Sequence, residues 1–293
     1  MNPPGLWVTG ATGLVGRALA QRRTIVPLPR RAPSGEGPWW EPMAGVVHDD
    51  RSPVAAVVHL AGENVDGRRW NDEHKRAIRE SRVQGSRTLV RWLADRAQRP
   101  SVLVAASATG LYGNRGDLEL PEDAGAGTGF LAEVVEAWET ELIEAEALGV
   151  RVVRLRIGVV LTPDGGALRK MLPAFRAGVG GPIGRGRQWF PWVHLDDVVS
   201  SVEWALTDPT ASGAYNVVAP GIVRQRDFAR ALGRAVHRPA FVPAPAAALR
   251  LLFGELADEA LLASTRAVPA ALERDGFAFA HPQLDGALAN LLG

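Results

Sequence analysis

Three glycines, Gly10, Gly13 and Gly16, are spaced as G-x-x-G-x-x-G between two different hydrophobic patterns. The apolar run at 6–8 predicts a buried strand, and the apolar residues within 14–22 recur at helical spacing. A glycine turn between a strand and a helix lets backbone N–H groups approach a pyrophosphate, which the positive end of the helix stabilises. We therefore expect a dinucleotide to bind the whole turn, which comprises Gly10, Ala11, Thr12, Gly13, Leu14, Val15 and Gly16.

Two arginines, Arg30 and Arg31, follow the second predicted strand at 24–28. They come about 20 positions after the first glycine, where an NAD site carries an acidic residue that binds the ribose 2′-hydroxyl. Arginine at this position accommodates a 2′-phosphate instead, so the sequence favours NADP(H) over NAD(H). A short third strand is predicted at 46–48, and we expect Asp49 after it to contact the adenine.

Further predicted strands alternate with helices along the chain, which favours an α/β fold with a doubly wound parallel sheet of the Rossmann type. We assign 1–160 to an NADP-binding domain with added elements from 189–220. We assign 161–188 and 221–293 to a smaller, mostly helical region on the substrate side. Because ligands bind at the carboxyl ends of such strands, the expected cofactor site also includes Leu60, Ala61, Gly62, Glu63, Ala106, Ser107 and Arg156.

Composition and charge exclude several classes of function. The 293 residues carry a formal net charge of +1, which gives no electrostatic basis for binding nucleic acid or a membrane surface. The chain has no cysteine, so it forms no disulfide or thiolate metal site, and we expect no metal centre. No secretory signal or spanning helix is predicted. We expect a cytoplasmic monomer or homodimer that acts on a small-molecule substrate.

Four stretches resemble the extended short-chain dehydrogenase/reductase superfamily, which includes nucleotide-sugar epimerases and dehydratases; they lie at 10–16, 107–113, 193–198 and 215–217. A closer resemblance is to an epimerase-like subfamily that has a human member, and it is carried by the runs at 59–64, 69–70, 81–87, 129–132 and 156–161. The resemblance covers essentially the whole chain. It implies a Rossmann fold and an NADP(H)-binding oxidoreductase or isomerase, but no particular substrate.

The catalytic pair of that superfamily is missing from the sequence. Its members use Tyr-x-x-x-Lys on the helix after the fifth strand, where the lysine lowers the tyrosine pKa from about 10 so that the hydroxyl exchanges a proton with substrate. Here no tyrosine is followed four residues later by a lysine. The tyrosine position falls on Phe130 or Leu131. The lysine position falls on Val134 or Val135.

Three interpretations of the function therefore remain open. If the protein turns over a substrate, it uses another proton donor, for which the candidates are Ser107, Thr109, Glu133 and His194. Alternatively, it binds NADP(H) without turnover as a redox sensor or regulatory partner. In the third interpretation, it keeps the fold as a structural or interaction module.

Aromatic and glycine-rich residues predict where a substrate would bind. The segment at 178–192 is expected to close over the nicotinamide end of the site as a lid. Its tryptophans either fill the core or stack on a flat or sugar-like substrate. Basic residues on the predicted helix at 72–97, Arg82 among them, are interpreted mostly as a solvated face. The expected substrate contacts are Tyr112, Gln188, Trp189 and Trp192.

Overall fold

A six-stranded parallel sheet organises the described residues, 5–31 and 37–293, of this computed structural model. The strands in chain order are β1 (Gly5–Thr9), β2 (Val26–Leu28), β3 (Trp39–Glu41), β4 (Val46–His48), β5 (Val54–His59), β6 (Val102–Ala108), β7 (Glu119–Leu120), β8 (Arg151–Ile157), β9 (Val159–Leu161), β10 (Trp189–Phe190), β11 (Trp192–His194), β12 (Gly213–Val217), β13 (Val223–Arg224) and β14 (Arg266–Ala267). The sheet has the order β12-β8-β6-β5-β1-β2, and every pairing in it is parallel. The carboxyl ends of six strands therefore lie along one edge.

Helices cover both faces of this sheet, as a buried parallel sheet requires. They are α1 (Leu14–Arg22), α2 (Asp72–Asp95), α3 (Phe130–Ile143), α4 (Gly166–Arg176), α5 (Leu195–Thr207), α6 (Gln225–Ala235), α7 (Ala246–Phe253), α8 (Ala270–Arg274) and α9 (Leu284–Leu292). Short 3₁₀ turns lie at Thr109–Tyr112 and Glu146–Leu148, and a π-helical turn lies at Ala257–Leu261.

The alternation of side chains along each strand divides the core into two layers. In β1, Trp7 packs in the layer that contains apolar residues of α2 and α3. The next residue, Val8, packs in the layer that contains apolar residues of α1 and α5. The sheet is thus fixed between two helical layers, and its carboxyl edge is held in a defined position. The predicted doubly wound α/β fold is confirmed.

The second and third predicted strands differ from the structure. β2 is shorter than expected, and it is an edge strand paired only with β1. Pro27 has no N–H to donate, which an edge strand tolerates because one of its sides has no partner strand. β4 forms as predicted, but it pairs antiparallel with β3 and lies outside the main sheet. The partner strand β3 is anchored by Trp40, which is fully buried against the helical layer of α2 and α3.

Much of the chain after β8 forms a second, mostly helical body that packs against the carboxyl edge of the sheet. Its own apolar cluster joins α4, α6 and α9. β11 pairs in parallel with β9, which continues from the end of β8, and β14 pairs with β7. Both pairings bring later parts of the chain onto the edge where a ligand is expected. Among the described residues, none of the helices combines the length and apolar character needed to cross a bilayer.

Candidate functional site

The glycine turn at the carboxyl end of β1 has no room for side chains at two of its positions. Gly10 has φ +70°, and a Cβ atom there would lie 2.7 Å from the carbonyl carbon of Leu60. A Cβ atom at Gly16 would lie 2.4 Å from the Gly10 oxygen. Gly13 is the N-cap of α1 and makes no side-chain cap, so the first N–H groups of the helix are available to an anion.

A buried pair, Thr9 and His59, fixes the chain that lies against this turn. The Thr9 hydroxyl is 2.7 Å from His59 Nδ1, and Leu60 N and Ala61 N donate to the same hydroxyl at 3.2 and 3.3 Å. Burial, and then the charge of Arg82, lowers the pKa of His59 to about 4. Because the Thr9 oxygen already accepts from two N–H groups, its own hydrogen is directed to Nδ1 of the neutral ring. Nothing in the local sequence pattern around Thr9 predicts this role.

The next two residues of that loop, Gly62 and Glu63, are bound to α2. Ser81 Oγ accepts from Glu63 N at 2.9 Å, and Arg82 Nη1 donates to Glu63 O at 3.0 Å. The Arg82 guanidinium also packs on Gly62, where a Cβ atom would lie 3.1 Å from its Cζ. Arg82 is thus half-buried at the site rather than part of a solvated face.

A buried carboxylate, Glu139 of α3, organises the ends of β6 and β8. Ser107 Oγ donates to it at 2.5 Å, and Arg156 binds both of its oxygens at 2.9 and 3.0 Å. Arg154 Nη1 donates to Oε2 at 2.8 Å. Burial raises the pKa of Glu139, but the hydrogen bonds and charge of Arg156 outweigh it and hold that pKa below its ordinary value. Glu139 therefore stays ionised, and the Ser107 proton is directed towards it.

A different carboxylate binds the backbone at the start of α3, the helix on which the superfamily's tyrosine is expected. Phe130 N and Leu131 N at the start of α3 each donate to the Glu259 carboxylate at 3.2 Å. Glu259 belongs to the π-helical turn of the second body, a conformation that occurs frequently at functional sites. The sequence alone does not reveal this contact, because the partners are about 130 residues apart.

Comparison with known proteins assigns the chain to a family. The model of the NAD dependent epimerase/dehydratase family matches residues 44–218, and that of a domain of unknown function, DUF1731, matches 244–291. An epimerase family protein of Mycobacterium bovis is 42% identical over 288 residues, which cover 96% of this chain and 95% of the relative. The chain belongs to the NAD-dependent epimerase/dehydratase family.

Vertebrate members of this family are also similar to this chain over nearly their full length. The epimerase family protein SDR39U1 of Bos taurus is 35% identical, with 97% of this chain and 98% of the relative covered. The crystal structure of human SDR39U1 with NADPH superposes with a TM-score of 0.90 at 30% identity, covering 98% of both chains. The resemblance to the epimerase-like subfamily is therefore confirmed.

Within this family fold, two of the expected ligand contacts lie inside the protein. Arg156 Nη1 donates to Tyr112 Oη at 3.0 Å and to Glu122 O at 2.8 Å, so each of its side-chain nitrogens is bound within the chain. Tyr112 is fully buried and donates to Asn216 Oδ1 at 2.7 Å. Burial raises the pKa of Tyr112. Contrary to expectation, Tyr112 does not line a cleft. Arg156 positions Glu139, and its expected ligand contact stays a prediction.

The four candidate proton donors have different surroundings. Ser107 and Thr109 are buried at the carboxyl end of β6, whereas Glu133 is exposed on α3. His194 is buried and caps α5, because its Nδ1 accepts from Asp196 N at 3.0 Å. Burial lowers the pKa of His194. Of the four, only Ser107 and Thr109 lie at the carboxyl end of a strand of the main sheet.

His194 also belongs to a group with ligand atoms close enough for a metal ion. Its ring stacks on His281 with centroids 3.8 Å apart, and the ligand atoms of the two rings and Asp196 lie within 4.8 Å of one another. However, Arg22 binds Asp196 at 2.6 Å, and the positive end of α5 lies beneath the group. These charges oppose the binding of a cation. We therefore interpret His194 as the cap of α5.

The expected substrate contacts at 188–192 are committed to packing. Trp189 has the Arg224 guanidinium 4.0 Å and the Arg266 guanidinium 4.9 Å from its ring centroid. Trp192 is fully buried and donates to Gly221 O at 3.0 Å. Trp192 therefore packs in the core, which was the alternative to stacking on a substrate.

The rest of the expected lid, 178–192, contacts two different parts of the protein. Gln188 Nε2 donates to Ile183 O and Leu261 O at 3.2 and 3.0 Å. The C-terminal end of this segment reaches the carboxyl edge of the sheet. There Pro191 O lies so close to Gly158 that a Cβ atom on Gly158 would be only 2.2 Å away. Its beginning packs on the second body, where Gly184 N donates to Ala244 O at 2.8 Å.

The remaining cofactor candidates lie at the other end of the sheet. Arg30 and Arg31 are exposed directly after β2. Asp49 accepts from Trp92 Nε1 at 3.1 Å and forms an ion pair with Arg96. This carboxylate therefore links α2 to the β3–β4 hairpin, and its contact with adenine stays a prediction.

Proposed function

We propose that the protein binds NADP(H) at its glycine turn and acts as an oxidoreductase or isomerase on a small molecule. The observation that carries the proposal is the shape of the turn, where Gly10 and Gly16 leave no room for a Cβ atom and α1 begins without a side-chain cap. This is the arrangement that binds a pyrophosphate in dinucleotide sites. The human relative of 30% identity was crystallised with NADPH, which supports the same cofactor here.

The preference for NADP(H) over NAD(H) is proposed from Arg30 and Arg31. Both side chains are exposed at the end of β2, where the ribose of a bound dinucleotide is expected. Guanidinium groups bind phosphate through charge-assisted hydrogen bonds, which are stronger than neutral ones. An acidic residue at this position would instead repel the 2′-phosphate.

The superfamily's proton transfer cannot occur at its usual positions. Phe130 packs edge-on against Trp70 with ring centroids 5.1 Å apart, and Leu131 contacts Gly110. Val134 and Val135 are buried among apolar side chains. Hydride transfer to a carbonyl leaves an alkoxide that must gain a proton, and these four residues supply none. The reaction therefore uses another group.

The contacts of Ser107 and Glu259 support them as the groups that face the reacting atoms. Because Ser107 donates its hydroxyl hydrogen to the ionised Glu139, its oxygen can accept a hydrogen bond from a ligand but cannot donate one. It is suited to hold a hydroxyl or carboxamide rather than to polarise a carbonyl. Glu259, bound to the N–H groups of Phe130 and Leu131, is an ionisable group at the start of the helix that lacks the tyrosine.

A second candidate function is an NADP(H)-binding sensor or regulator without turnover. This function is favoured because Phe130 and Val134, which stand where the acid–base pair would be, pack in an apolar cluster, while the glycine turn is intact. The two functions share the cofactor and differ only in chemistry.

Titration and a substrate screen test both functions. Nine tryptophans allow NADPH and NADH binding to be followed by quenching and energy transfer. We expect NADPH to bind more tightly than NADH, and at least one carbonyl or alcohol substrate to be turned over. Tight NADPH binding with no turnover in a broad screen would support the sensor. If neither dinucleotide binds, both functions are refuted.

A further inference from the structure

An apolar segment of the second body, residues 240–253, lies on the surface of the protein. Arg250 is the only charged residue of this apolar strap, and Leu249 is its only buried one. Phe241 and Leu251 are 73% and 74% exposed. The strap holds half of the large apolar side chains that are exposed among the described residues, namely Phe241, Val242, Leu251, Leu252 and Phe253. Soluble monomers rarely expose so much apolar surface in one place, so we expect another surface to cover it.

The backbone of the strap is fixed, so this exposure belongs to the folded protein. Val242 N donates to Gly180 O at 3.3 Å, and Gly184 N donates to Ala244 O at 2.8 Å. The second half of the strap is α7, in which Leu249 alone is buried. A helix that is apolar on all sides is normally enclosed by other elements. α7 therefore has the composition of a buried helix in an exposed position.

Side chains of opposite charge lie at the two ends of the strap. Before it, the end of α6 and the following turn carry four basic side chains, which line an open groove beside Phe241: Arg230, Arg234, His237 and Arg238. After it come two exposed acidic residues, Glu255 and Asp258. Along the chain, this surface is thus basic, then apolar, then acidic.

Most of these charges already have a partner on the surface of the same chain. Exposed ion pairs of this kind contribute little to stability, so a partner molecule can exchange them at small cost. The pairs are Arg230 with Asp227, Arg234 with Asp285, Glu255 with Lys75, and Asp258 with Arg250.

We propose that the apolar strap is the interface of a homodimer, in which two copies pair in antiparallel directions about a two-fold axis. The apolar centres then cover each other, and the basic end of each copy lies against the acidic end of the other. A membrane surface, or a partner of one charge, would leave one end of the strap unmatched. The size is also sufficient. An interface of standard size has about 20–30 residues a side, and the strap has 14 residues with six more at its ends.

Analytical ultracentrifugation of the full chain over a wide range of concentration tests the apolar centre. We expect a reversible dimer. Leu252→Glu should weaken it at least tenfold, because the two-fold axis brings two carboxylates into the apolar centre. The matched control is Met43→Glu in the β3–β4 hairpin, at a side chain that is 61% exposed, against 64% for Leu252. The control should stay within twofold of wild type.

A pair of charge-reversal variants tests the antiparallel orientation. Arg230→Glu/Arg238→Glu reverses the basic end, and Glu255→Arg/Asp258→Arg reverses the acidic end. Each variant alone should dimerise at least tenfold more weakly, because like charges then meet at both ends. An equimolar mixture of the two should recover the dimer, since each copy then faces the opposite charge at both ends. Recovery also shows that both variants are folded.

Three results would overturn the proposal: a wild-type protein that stays monomeric at every concentration, a dimer that Leu252→Glu leaves unchanged, or a mixture that does not recover the dimer while both variants keep the wild-type circular dichroism spectrum. Co-sedimentation of a monomeric wild-type protein with phosphatidylcholine and phosphatidylglycerol vesicles, lost in Leu252→Glu, would assign the strap to a membrane surface instead. None of these measurements requires NADP(H), so their failure leaves the proposed function untouched.

Discussion

Acidification should destabilise the protein through one buried histidine. His59 is fully buried, and burial lowers its pKa from the ordinary value of 6.5 to about 4. Between those two values the unfolded chain binds a proton that the folded protein does not, so stability falls as the pH falls through this window. The difference corresponds to about 3 kcal/mol, at about 1.36 kcal/mol for each unit of pKa. This loss of stability is absent near pH 7 and reaches its full size near pH 4.

The structural consequence of that protonation reaches the cofactor site. A protonated ring cannot accept from Thr9 Oγ1, whose hydroxyl also holds Leu60 N and Ala61 N. We therefore expect NADPH affinity to weaken in the same pH window, before the protein unfolds. Weakening of the cofactor contact would then accompany a measurable loss of stability.

Urea denaturation followed by tryptophan fluorescence at several values between pH 4 and pH 7 measures the effect. His59→Gln should lower stability at pH 7 but remove about 3 kcal/mol of the pH dependence. Other acidic groups contribute to the wild-type slope, so the difference between the two proteins is the quantity to compare. The control is His237→Gln, at an exposed histidine, which should keep the wild-type slope. If His59→Gln also keeps that slope, the buried neutral histidine is refuted.

Three further predictions concern the cofactor and the buried cluster. Arg30→Ala should cost about 1.5–3 kcal/mol of NADPH affinity, the range for a hydrogen bond to a charged group, and leave NADH affinity unchanged; an equal loss for both dinucleotides in a fluorescence titration would contradict the role in phosphate binding. Gly13→Val should abolish binding of both dinucleotides in the same titration. Its Cβ would have only one close neighbour, the Gly10 oxygen at 3.1 Å, so the protein should still fold by circular dichroism, and normal NADPH binding would exclude the pyrophosphate from this turn. Glu139→Gln should destabilise the protein by about 3–5 kcal/mol in denaturant, because it leaves the buried charges of Arg154 and Arg156 without a counter-ion; a loss below about 1 kcal/mol would show that water or another group compensates them.

The cofactor end of the fold is predictable from the sequence because its signals are local. β1, the glycine turn and α1 are contiguous, and α1 begins and ends at the expected residues, Leu14 and Arg22. Gly10 and Gly16 are required by the positive φ of one and the close approach of the other, and both requirements follow from the turn itself.

The residues that surround the chemistry are decided by contacts between distant parts of the chain. Arg82 lies on a helix with exposed basic neighbours, and its burial depends on Trp138 of another helix. Glu139 is one of several acidic residues on α3, and only its pairing with Arg156 and Ser107 distinguishes it. A pattern of hydrophobic spacing contains no information about such pairings. For the same reason, the sequence does not predict that Arg156 binds Glu139.

The charges at the carboxyl edge differ from those of the superfamily's catalytic pair. That pair places a cation beside a proton donor on one helix. Here the carboxylate of Glu139 is bound by two arginines and accepts a hydrogen bond from Ser107, which leaves the Ser107 oxygen as a hydrogen-bond acceptor. Such an acceptor suits a ligand that presents a hydroxyl or an amide N–H. A ketone would find no donor at Ser107, so we expect the protein to act poorly on the substrates that the superfamily's tyrosine activates.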